Sequence, residues 1–136
     1  MLMDTNGHTI LSEDYVSYEV AKLLKEKGFE GDINAYYHIW DYGNKVCSVQ
    51  EFSHSEAPHL YIPAPTHQIA MKWLREVYGL FISIGCDDLN WNWQIFDIEN
   101  RDENYDPICK SDSYGGISTY EQACDAALKF CLENLI

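Results

Sequence analysis

Apolar residues recur at helical spacing in three stretches of this chain and at alternating spacing between them. In the first stretch, Val16, Val20, Leu23 and Leu24 form one face of a helix predicted from Ser12 to Gly28. Ser12 is its expected N-cap, Leu11 and Val16 a hydrophobic staple, and Gly28 its left-handed terminus. A second helix is expected to start at Thr66 or a position beside it and to end at Gly79, burying Ile69, Ala70, Trp73, Leu74 and Val77. The third, Ser118 to Ile136, opens on a capping box of Ser118 and Glu121. Its stripe is Tyr120, Ala123, Cys124, Ala127, Leu128, Cys131, Leu132 and Leu135.

Between the helices the period shortens. Two β-rich runs, Ala35 to Trp40 and Val46 to Phe52, flank the turn-forming residues 41–45 and predict a hairpin. Residues 53–59 read as loop, and Leu60 to Ile62 is expected to be extended because Pro63 biases the residue before it away from the helical region. LFISI at 80–84 and WNWQIFDI at 91–98 read as antiparallel strands, with Trp91, Trp93 and Ile95 facing one way and Asn92, Gln94 and Phe96 the other. The segment from Glu99 to Gly116 is acidic and turn-rich, with a short strand near Ile108. Together these elements predict one α+β domain over residues 1–136, an α/β sandwich. An antiparallel or mixed sheet of four or five strands would be covered by three helices, one or more on each face.

Composition narrows the function classes. At 136 residues one core suffices without a disulfide or metal. No stretch approaches the ~20 apolar residues that span a bilayer, so no membrane partner is expected. The opening residues are acidic where a secretion signal would be basic, and the five cysteines form no CxxC pair. Both observations predict a cytoplasmic protein with free thiols. The net charge of −13 argues against direct nucleic-acid binding, which depends on Lys and Arg clusters. Between Gly85 and Asp125, ten carboxylates face only Arg101 and Lys110, a balance of −8.

No catalytic, cofactor or metal site emerges. His54, His59 and His67, with Cys47 and Glu56, offer zinc-ligand types but match no zinc spacing. Asp102, Asn104 and Asp106 echo the start of a calcium loop. Pro107 replaces the required glycine, however, and Ser113 the bidentate glutamate. The nucleophile elbow, the P-loop, the dinucleotide fingerprint and the zinc-protease motif are all missing from the sequence.

Three phrases carry a resemblance: VSYEVAKLLKEKGF (16–29), IPAPTHQIAMKWLRE (62–76) and YEQACDAALKFCLENLI (120–136). They resemble a family of small uncharacterised proteins of gut Bacteroides-type bacteria and their phages or prophages. More loosely, the order of elements is similar to the phage ABA sandwich domain. The resemblance implies an origin on a mobile element and supplies no catalytic residues; the long acidic stretch before the last helix departs from shorter members.

The expectation is therefore a non-enzymatic accessory protein that binds a protein partner. Its expected surface comprises Asp87, Asp88, Trp91, Trp93, Asp97, Glu99, Asp102, Glu103 and Asp106. One alternative is an acidic nucleic-acid mimic that inhibits a host nuclease or regulator. Another is a small-molecule or glycan binder that uses the sheet aromatics. An exposed edge in a small sheet is also a route to a homo-oligomer.

Overall fold

A computed structural model describes residues 14–31, 33, 35–38, 46–48, 61–113 and 115–136. The chain runs α1 (Tyr18–Glu26), β1 (Ala35–His38), β2 (Val46–Ser48), β3 (Tyr61–Pro63), α2 (His67–Tyr78), β4 (Leu80–Asp87), β5 (Asn90–Arg101), β6 (Pro107–Asp112) and α3 (Tyr120–Asn134). Three helices and antiparallel strands make it α+β, as the periodicities predict. The strands are divided between two three-stranded sheets, ordered β2-β1-β3 and β4-β5-β6, instead of lying in one sheet of four or five. Pro63 and Pro65 lack the N–H groups that would carry β3 onward, and α2 intervenes before β4.

The helix ends show which local signals prevailed. α1 starts at Ser17, whose hydroxyl accepts from Val20 N, and not at Ser12, which lies outside the described residues with Leu11. The residues before it are held extended: Val16 N donates to Pro65 O at 2.9 Å and Tyr15 bridges Thr66. At the other end Gly28 adopts φ +85°, with Phe29 N donating to Leu24 O and Gly28 N to Lys25 O. That pair of bonds is a Schellman closure. α2 is capped by Thr66 and stopped by left-handed Gly79, as expected.

The buried face of α2 is rotated from the expected one. His67, Ala70, Met71 and Leu74 are inside, whereas Ile69 is 41% and Val77 57% exposed. His67 turns inward because a carboxylate on α3 receives it. α3 begins one residue later than expected, with Thr119 accepting from Gln122 N, but its stripe from Ala123 to Leu132 is fully buried as read.

One hydrophobic core joins Val20 and Leu24 of α1, Leu74 of α2, Leu128 and Leu132 of α3, Tyr37 and Ile62 of the first sheet, and Ile82, Trp93 and Ile95 of the second. β1 pairs antiparallel with β2 as the predicted hairpin requires, and with β3 on its other side. The turn at 41–45 and the loop at 53–59 lie outside the described residues. No described helix is long and apolar enough to cross a membrane.

Candidate interaction surface

β4 and β5 pair over eight residues, Leu80↔Asp97 through Asp87↔Asn90, without interruption. Strand alternation then sorts their side chains. Leu80, Ile82 and Ile84 share a face with Trp91, Trp93 and Ile95, and Ile95 is fully buried. The opposite face carries Phe81, Ser83, Gly85 and Asp87 of β4 beside Phe96, Gln94, Asn92 and Asn90 of β5. None of those eight belongs to the core; Phe81 is 39% exposed and Phe96 half-buried. β6 adds Cys109 opposite Phe96 and Asp112 opposite Gln94, both exposed. Among the described residues no helix covers this face, in contrast to the expected helix on each side.

The two tryptophans of the expected surface lie under α3. Trp93 is only 7% exposed and packs at 5.3 Å against Phe130; half-buried Trp91 meets Tyr120 edge to face at 5.6 Å. They share a strand face, as their spacing predicts, but it is the face on which the α3 stripe is seated. The aromatics turned away from the helices are Phe81 and Phe96. LFISI holds a signal for this, since Leu80, Ile82 and Ile84 form the unbroken apolar set and Phe81 falls on the mixed one.

The carboxylates part into two groups. Asp87 and Asp88 form the β4–β5 turn, where Asp88 takes φ +51° and Leu89 projects into solvent. They line a shallow pocket of about 300 Å³ with Asn90, Asn92, Ser113, Gly115 and Gly116. At the other end of β5, Asp102 Oδ1 accepts from Asn104 N at 2.8 Å and Asp106 N at 3.0 Å, which turns the chain toward β6 with Glu103 exposed. Asp97 and Glu99 stand near that end. Hydrogen bonds from the Asn100 side chain and from the Asn100 and Glu99 amides hold the Asp97 carboxyl below the usual carboxylate range. With eleven steps along β5 at ~3.2 Å each, the Asp87–Asp88 turn and the Asp102 turn are about 35 Å apart, with Asp97 and Glu99 on the strand between them. The calcium-like trio thus serves as a turn in which Asp102 is already engaged by backbone amides.

A second cluster, which no local sequence pattern announces, joins the three helices. Asp125 Oδ1 on α3 accepts from Ser17 N at 2.8 Å and lies 3.2 Å from His67 Nε2. The imidazole is the donor there, because an ionised carboxylate only accepts. His67 N donates to Asp14 O, and Tyr37 Oη donates to Val16 O at 2.6 Å. Burial alone raises the Asp125 pKa, but the bonds from His67 and Ser17 outweigh it and leave it lowered. Burial, with the Asp125 charge, raises Tyr37. Asp125 thereby fastens the starts of α1 and α2 to α3, which is a structural task.

His54, Glu56 and His59 lie outside the described residues, and among those described no three His, Cys, Asp or Glu side chains gather as a metal site. Cys124 and Cys131 are buried, which pushes their thiols up to about 11 and about 12. Cys86 and Cys109 are exposed. No protein-family model, curated protein or solved structure matches the chain.

Proposed function

We propose that the chain is a non-enzymatic accessory protein of phage or prophage type, cytoplasmic in a bacterial host, that binds another protein through the uncovered face of the β4-β5-β6 sheet. The observation that carries this reading is the face itself. It places Phe81 and Phe96 side by side at cross-strand positions, outside the core, with carboxylates at its two ends. Partially exposed aromatics at the centre of a polar-rimmed patch are the usual anchors of a protein interface.

The spacing of charge weighs against the nucleic-acid mimic. Mimicry calls for a continuous track at phosphate intervals, and here the turns at Asp87–Asp88 and Asp102–Asp106 stand about 35 Å apart, with Asp97, Glu99 and Asp112 spread singly over the strands between them. The small-molecule or glycan reading draws on Trp91, Trp93 and the tyrosines, and the packing of Trp91 on Tyr120 and of Trp93 on Phe130 weighs against the two tryptophans as an open platform.

The test is affinity capture from a Bacteroides-type lysate with the wild-type chain and with Phe81→Ser and Phe96→Ser, washed at low and at about 0.5 M salt, where the Debye length is ~4 Å. A protein partner retained at high salt and lost with either serine variant supports the reading. Nucleic-acid-binding proteins that leave with salt and ignore both substitutions would overturn it in favour of mimicry.

A further inference from the structure

The two edges of the second sheet are built differently. β6 begins at Pro107, exposes Lys110 and suffers two register shifts against β5. Proline, lysine and bulges are the devices by which an edge strand discourages pairing. β4 has none of them: eight residues in unbroken register, with Asp87 as its one charge.

The phase of the ladder shows what β4 presents. Ile98 N donates to Gly79 O at 2.9 Å, so alternation directs the backbone groups of Phe81, Ser83 and Gly85 toward β5. Those of Leu80, Ile82, Ile84 and Cys86 point the other way. Among the described residues β4 ends its sheet, and no backbone group bonds to that side.

Charge selects the occupant. The edge is bracketed by Asp87 and Asp88 at one end and by Glu99 at the other, whose side chain lies against Gly79 so closely that a Cβ there would be 2.6 Å from it. A second copy fits poorly. Two antiparallel registers join outward-facing residues along most of the strand. One sets Asp87 of one copy opposite Gly79 of the other, and the other sets Asp88 opposite Leu80. Both bring like charges together beside Glu99, between chains of net charge −13 each.

We infer that β4 is a strand-addition edge for an extended segment of a partner protein, apolar-alternating in its middle and carrying Lys or Arg at both ends. The inference rests on the protein-binding reading above and names its docking edge and partner chemistry. Main-chain bonds from Ile82, Ile84 and Cys86 would supply affinity, Phe81 would meet the partner's alternate side chains, and the bracketing carboxylates would choose the sequence.

The probe is a terminally blocked peptide, Lys-Val-Thr-Val-Thr-Val-Lys, added to the full chain and followed by amide hydrogen exchange. Slowing by about tenfold or more is expected at Ile82, Ile84 and Cys86, with Phe81 and Ser83 unchanged. Exchanging the terminal lysines for glutamates should weaken binding about tenfold, the worth of two screened ion pairs. N-methylation of alternate peptide amides should abolish it. Cys86→Pro, which deletes one outward N–H at an exposed position, should weaken it in a chain whose melting temperature reports folding.

Absence of slowing at these amides under the highest soluble peptide concentration, or equal binding of the glutamate peptide, overturns the inference. So does the same protection arising without peptide in a sedimenting dimer, which assigns the edge to a second copy. If the peptide fails while Phe81→Ser and Phe96→Ser still abolish partner capture, strand addition falls and the sheet-face reading stands. If the peptide docks while capture ignores both serines, the face reading falls instead.

Discussion

Removing the Asp125 carboxylate should loosen three helices at once. In Asp125→Ala, Ser17 N and His67 Nε2 lose their acceptor; His67 is 7% and Asp125 26% exposed at the side chain, so water replaces the carboxylate only in part. A buried donor left without a partner costs ~1–3 kcal/mol, and the partial exposure puts the sum for both near ~2–3 kcal/mol. For a chain of this length each kcal/mol is ~3–5 °C, so melting should fall by ~6–15 °C. Asp125→Asn keeps an acceptor but not the charge and should cost about 1 kcal/mol.

The pH dependence supplies an independent check. The folded Asp125 carboxyl is held below its ordinary pKa, so its contribution is present above the unfolded value of ~3.9 and drains away as pH falls through the folded one. The stability gap between wild type and Asp125→Asn, measured by urea unfolding, should therefore narrow below about pH 4. Glu133→Gln, at an exposed pair 3.8 Å from Lys129, is the control and should change stability by less than ~0.5 kcal/mol. A melting temperature for Asp125→Ala within about 2 °C of wild type, or a gap undiminished at about pH 3, would refute the latch.

Three further outcomes follow from the packing. Trp93→Ala should cost ~3–5 kcal/mol in denaturant unfolding because it empties the core beside Phe130, whereas Phe81→Ser on the uncovered face should cost no more than ~1 kcal/mol. Gly79→Ala should destabilise by ~1–2 kcal/mol, since residue 79 sits at φ +67° and its new Cβ would meet Glu99. Adding Glu99→Ala should recover only the clash, and full recovery would show the φ strain to be negligible. Alkylation of the native chain near pH 8 followed by peptide mapping should mark Cys86 and Cys109. Cys124 and Cys131, buried with thiols pushed up to about 11 and about 12, should be spared until urea is added.

The elements that were legible in the sequence are those whose signals are local. Thr66 and Gly79 bound α2 because a cap and a left-handed stop each act within one turn, and the α3 stripe holds because its fully buried positions keep one period. Distant partners decided the rest. Ser12 and Ser17 satisfy the capping rule equally well, and the bond from Val16 N to Pro65 O chooses between them. His67 is polar and has no place in the expected apolar stripe of α2; its acceptor is 58 residues away on α3, so no window of sequence contains the reason for its burial.

The candidate surface shows the same division. Period two places Trp91, Trp93 and Ile95 together but leaves open which side of the sheet α3 will take. Likewise Asp87, Asp88, Asp102, Glu103 and Asp106 look like one acidic run until β5 stretches between them. The strand edges carry more. Pro107 and Lys110 suit β6 to an exposed edge, and β6 occupies one. Leu80 to Cys86 contains no proline and no charge, the composition of a strand with neighbours on both sides, yet among the described residues β4 pairs with β5 on one side alone. A strand composed like an interior one at the end of its sheet is the edge on which the proposed partner strand would add.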